Sequence, residues 1–165
     1  KAVKYLISKG HKKIGFLKGP ECFKTVSERY KAYIDTMKEN GLIIEEEWII
    51  SGILSINSGY RSVKEIINSG RNLPTALLAA NDNMAIGAMR ALLEAGIKIP
   101  AEVAVMGFDN IEMGEYFYPS LTTVNQEHYA MGESAAELLI EYIENKKVSK
   151  RKIVMFQEIV ERESV

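Results

Sequence analysis

PTALLAANDNMAIGAMRALLEAGIKIPAEVAVMGFDN, residues 74–110, carries the pattern that decides the fold. After Pro74 an apolar run, 75–80, meets Asn81-Asp82, and a helical stretch, 83–95, then stops at Gly96. Beyond Pro100 a second apolar run, 103–108, meets Asp109-Asn110. Short apolar runs bounded by turn residues read as strands buried on both faces, and the longer segment closed by glycine reads as a helix. Strand, helix and strand in this order are the unit of a parallel sheet.

The same order extends in both directions. Upstream, Val3, Leu6 and Ile7 precede Gly10, a strand at 14–17 runs into Gly19-Pro20, and Val26, Tyr30, Tyr33, Ile34 and Met37 form a stripe ending at Gly41. A weak strand at 48–50 precedes a helix with Tyr60, Val63, Ile66 and Ile67 on one side, which stops near Gly70. Downstream come a loop with Tyr116, Phe117, Tyr118 and Pro119, a strand or crossover segment at 121–124, and a helix marked by Met131, Ala135, Leu138, Leu139 and Tyr142. The basic stretch 146–152 reads as a solvated turn and 153–160 as a closing strand. The expected class is α/β, a doubly wound and mostly parallel sheet.

Composition narrows the partners. With 21 basic and 22 acidic side chains the net charge is -1, so the chain as a whole exerts no pull on nucleic acid or anionic membrane. The single cysteine, Cys22, cannot form an internal disulfide and reads as a small packing residue. Neither a signal peptide nor a long apolar span is visible, so a cytosolic setting is the default. The chain opens at Lys1 inside an apolar periodic segment, which reads as a boundary within a longer protein.

Ligands of open parallel sheets bind outside the carboxyl ends of the strands, and three polar pairs fall there: Gly19-Pro20, Asn81-Asp82 and Asp109-Asn110. Asn81 or Asp82 could serve only as a helix N-cap, and Asp82 is read that way. Asp109 and Asn110 could simply form a turn, yet a carboxylate at that rim can accept hydrogen bonds from neighbouring ligand hydroxyls, which favours function for Asp109. Arg29, one turn into its helix, reads from composition alone as a solvated charge.

The ordered segments AVKYLISKGH (2–11), IGFLKGP (14–20), SER (27–29), PTALLAANDNMAIG (74–87), AGIKIP (95–100), VAVMGFDN (103–110), PSLTTVNQ (119–126) and RES (162–164) together resemble the effector domain of the LacI family of transcription regulators. The resemblance implies a periplasmic-binding-protein-like lobe of type I. Residues 1–124 and 153–165 would form the C-terminal lobe and 125–152 would belong to the N-terminal lobe, while the DNA-binding headpiece would lie outside this chain. It implies a small, sugar-like effector held by Arg29, Asn81 and Asp109, with Gln126 and His128 at positions that can face the ligand. His128 replaces a frequent aromatic residue, and Leu54 stands where sugar responders can carry one.

The resemblance also implies a homodimer. The helix after Asn81 is apolar nearly all round, which points to cover either by neighbouring elements or by a second chain, with Met84 and Met89 assigned to the dimer surface beside Tyr116 and Phe117. A solute-binding protein of a sugar transporter is the alternative function. Enzymatic chemistry is not expected: no nucleophile elbow or phosphate-binding loop occurs, and two histidines with one cysteine suggest no metal and call for no cofactor.

Overall fold

A computed structural model describes residues 1–144 and 152–165. The elements in chain order are α1 (Ala2–Ser8), β1 (Ile14–Lys18), α2 (Lys24–Glu39), β2 (Ile49–Ser51), α3 (Ile56–Asn68), β3 (Ala76–Ala79), α4 (Asp82–Glu94), β4 (Ala104–Asp109), α5 (Glu112–Tyr116), β5 (Thr122–Asn125), α6 (His128–Ile143) and β6 (Glu158–Val160). The strands form one six-stranded sheet in the order β2-β1-β3-β4-β5-β6. Every neighbouring pair is parallel except β5 with β6.

The expected α/β architecture is therefore present, with three adjustments. The segment 121–124 is a true strand, paired with β4 through Met106↔Thr122 and Phe108↔Val124. The loop carrying Tyr116 contains the short helix α5. The closing strand is three residues long rather than the eight of 153–160, because only Glu158, Ile159 and Val160 lie against β5. Of the basic stretch 146–152, all but Lys152 lies outside the described residues.

Two helical layers close the core. Phe16 at the centre of β1 stacks on Tyr33 of α2, whose hydroxyl donates to the carbonyl of Ile14 at 2.7 Å. On the other face α3 and α4 approach so closely that only glycine fits at the contact. A Cβ on Gly87 would lie 1.9 Å from the Ile56 carbonyl oxygen, and one on Gly59 would lie 2.1 Å from that of Met84. Backbone packed on backbone buries most of α4 and accounts for its largely apolar sequence, leaving Arg90, Leu93 and Glu94 exposed.

That burial corrects the dimer assignment for Met84 and Met89. Both are 0% exposed, with Met84, Met89 and Leu92 locked in the chain's own core. Neighbouring elements cover the side of α4 that bears them, so neither methionine reaches the surface. Cys22 departs from expectation in the opposite sense: it is exposed rather than packed.

The glycine contact yields a sign test. Replacing Gly by Ala in an open helix is stabilising by about 1 kcal/mol. Gly132→Ala, in α6 with no atom near the new Cβ, should follow that rule. Gly87→Ala should instead destabilise by about 1–3 kcal/mol, the usual cost of overpacking. Urea unfolding of the two variants measures both, and equal effects of one sign would contradict the packing described.

Candidate functional site

The rim at the carboxyl ends of the strands gathers the charged residues. Arg29 projects from the second turn of α2, which begins just after β1, so its guanidinium lies over the ends of β3 and β4. One terminal nitrogen donates to the Ala80 carbonyl at 2.6 Å, the other lies 3.5 Å from Asp109 Oδ1, and the guanidinium carbon sits 3.7 Å from the centre of the Phe108 ring. Stacking, a backbone bond and an ion pair together hold a planar fork that can still offer further N–H groups to a ligand. Gln126, where the chain leaves β5, donates from Nε2 to the same Asp109 oxygen.

A cavity of about 520 Å³ opens beside this cluster. Its lining includes Arg29 and Gln126 with the apolar surfaces of Phe16, Leu78, Phe108 and Val124. An apolar floor with a few convergent polar groups is the usual composition of a small-molecule site.

Burial sets the electrostatics. It raises the Asp109 carboxyl above the ordinary aspartate range, against the opposing effects of Arg29, the Gln126 hydrogen bond and nearby His128. It lowers Arg29 in turn, against the attraction of Asp109 and Asp82. Both partners are thus held against desolvation, and additional hydrogen bonds to either would favour the charged pair. The backbone at this point is also unusual: Asp109 has φ 122° and Asn110 φ 58°. Non-glycine residues held there cost on the order of 1–3 kcal/mol each, and such positions concentrate at functional sites.

Of the polar pair after β3, it is Asn81 and not Asp82 that caps the helix. Asn81 is the N-cap of α4, its Oδ1 accepting from the Met84 N–H at 3.0 Å, so its carbonyl is occupied and its amide nitrogen is the group left to donate. Asp82, read as the cap, points inward and is fully buried. Its carboxylate accepts from the Thr123 hydroxyl at 2.6 Å and from the Ile111 N–H at 2.9 Å. Burial raises the Asp82 carboxyl, with these hydrogen bonds opposing it.

The other expected residues divide. Leu54 does not line the cavity with Arg29; it folds over the β1–α2 turn, where a Cβ on Gly19 would come within 2.5 Å of its Cδ2. His128 begins α6 in an exposed position, close enough to Asp109 to affect its titration. Phe108, Thr123 and Arg162 carry no signal in the sequence that assigns them individually to the site. A cue to Phe108 is its place directly before Asp109 on the rim. Arg162, part of the RES segment, donates to the Leu121 carbonyl and to Asn110 Oδ1, each at 2.9 Å, an office visible only in three dimensions.

Fold and site together define a doubly wound α/β unit with a polar cluster and an adjoining cavity at the carboxyl rim of its sheet. The chain belongs to the periplasmic binding protein-like domain family, which matches residues 3–165. It is homologous throughout to LacI-family transcription repressors. The HTH-type transcriptional repressor PurR of Photorhabdus laumondii is 37% identical over 164 residues, 99% of this chain and 48% of that protein. Among solved structures, a LacI-family regulatory protein from Chloroflexus aggregans is 33% identical with a TM-score of 0.91, covering 99% of this chain and 58% of the other. The lac repressor dimer bound to operator and the anti-inducer ONPF is 29% identical with a TM-score of 0.88, covering 99% and 56%. The chain spans about half the length of the curated relatives it matches.

Titration tests the cluster. Folded Asp109 holds its proton more tightly than an unfolded aspartate, of pKa about 3.9, so its stabilising contribution is greatest below that value and is lost as pH rises through the higher folded midpoint. Arg29→Met removes the largest opposing influence and should move that midpoint further up. Carboxyl-detected NMR reads it directly, and an unchanged or lower midpoint would show that the two groups do not pair in solution.

Proposed function

We propose that this chain is the C-terminal lobe of the effector-binding domain of a cytosolic LacI-family transcription regulator. Residues 1–124 and 153–165 form the lobe, and 125–152 serve the partner lobe. The observation that carries the reading is the Arg29, Asp109, Gln126 cluster beside Phe108, set at the carboxyl rim of a fold shared over nearly its whole length with repressors. The repressor character of the relatives favours regulation over a transporter's solute-binding role and over enzymatic activity.

The effector is a small sugar-like molecule whose hydroxyls meet Asp109, Arg29, the Asn81 amide and Gln126, with His128 at the edge. Bound between two lobes, it favours one closure angle through its differential affinity for the two states, and DNA binding by a headpiece responds. Helix α6 fits a role in the other lobe, because it has no buried residue and exposes Tyr129, Leu139, Ile140, Tyr142 and Ile143. A thermal-shift screen of sugars, sugar phosphates and nucleobases on the longer protein carrying this chain should find a ligand that raises its melting temperature. Arg29→Ala combined with Asp109→Ala should abolish the shift, and a shift preserved in the double variant would move the site elsewhere.

The dimer surface in this reading lies on the α4–α5 face. Tyr116 is 78% exposed there, beside Met113 and the half-buried Phe117, and a shallow groove lined by Ile86, Arg90, Met113 and Phe117 continues it. Such a patch is the kind that a partner covers. Tyr116→Glu should yield monomers by sedimentation; a dimer of unchanged strength would place the interface on another face.

A further inference from the structure

Beneath the rim lies a fully buried carboxylate. Asp82 is 0% exposed and packs so tightly over β4 that a Cβ on Gly107 would lie 2.0 Å from its Oδ1. Its two oxygens act in different directions. Oδ1 accepts from Thr123 on β5, and Oδ2 accepts from the backbone of Ile111, immediately past the turn that carries Asp109 and Asn110.

Thr123 completes a relay. Its hydroxyl donates to Asp82 and lies 3.4 Å from the Asn110 N–H, so one oxygen serves as donor and acceptor at once. Asn110 is tied on its other side by its Nδ2 to Asn125 Oδ1 at 3.1 Å and by its own Oδ1 to Arg162. Apart from the Asp109 carboxylate, which meets Arg29 and Gln126, the polar groups that fix the turn lead to α4, β5 or the chain's end. None of them meets the 520 Å³ cavity. A buried carboxylate without a cation is tolerated only where hydrogen bonds satisfy it, and here those bonds are made by the turn and by the strand next to it.

We propose that Asp82 and Thr123 are positioning residues for the ligand site: their relay holds Asp109 and Asn110 at positive φ, so that the Asp109 carboxylate faces Arg29 and Gln126. The proposal rests on the functional reading for what Asp109 does once placed. The relay also joins the Asp109 turn to β5, the strand that leads to Gln126, so the two sides of the site are set by one support.

The test reads the turn itself. Asp82→Asn keeps an acceptor toward Thr123 but opposes an N–H to that of Ile111, and Thr123→Val removes the hydroxyl without altering charge. In uniformly labelled protein both should move the HN–Hα coupling of Asp109 away from its positive-φ value. Asp82→Asn should also speed amide exchange of Ile111 by on the order of tenfold, as expected for loss of a hydrogen bond to a charged group, and Thr123→Val should speed that of Asn110, whose N–H faces the Thr123 oxygen. Thr123→Ser, which retains the hydroxyl, should restore both. A residue with only a structural role would lower the melting temperature and leave the coupling unmoved. Unchanged coupling and exchange in folded Thr123→Val overturns the proposal even where Asp82→Asn fails to fold. An intact relay in a protein that no screened ligand stabilises would instead count against the functional reading alone.

Discussion

The parallel ladder from β1 through β3 and β4 to β5 is the constraint on which the rest depends. Each strand must pair its N–H and C=O groups with its neighbours, and once the register is set, the carboxyl ends are delivered to one edge. Leu17 beside Ala79, and Asp109 beside Asn125, put four separate loops within reach of each other. Arg29 can contact Ala80, Phe108 and Asp109 only because the helix that bears it starts from that same edge.

Placing charge at a half-buried rim carries a cost, which the structure offsets with hydrogen bonds rather than with solvent. Burial pushes Arg29 and Asp109 away from their charged forms, and their pairing only partly compensates. Below them Asp82, Thr123, Asn110 and Arg162 satisfy one another and the backbone around them. A rigid polar foundation of this kind suits a site in which a carboxylate must be aimed, because a loosely held one would point toward water.

Two apolar helices show how environment decides meaning. In sequence α4 and α6 both look like surfaces in search of cover. Helix α4 is wrapped by the sheet and by α3, where Gly59 and Gly87 let the backbones meet; helix α6 has no buried residue. Periodicity counts apolar faces but does not name the neighbour, which is why the sequence points Met84 and Met89 to a dimer surface that they cannot reach.

The sequence by itself determined the alternation of helices and strands, the parallel sheet, the glycine stops and the rim that carries Asn81 and Asp109, whereas Arg29 and Gln126 came to the site only through the family resemblance. Those features follow from local periodicity, turn chemistry and strand polarity, all of which operate over a few residues. Only the tertiary structure decided which of Asn81 and Asp82 caps α4, and it turned Leu54 onto the Gly19 turn and reduced the last strand to Glu158–Val160. Those outcomes depend on partners far away along the chain. Asp82 answers to Thr123, and Asn110 to Arg162, at separations of 41 and 52 positions. No local pattern records such a distance, because the bond exists only after the sheet has brought the two ends together.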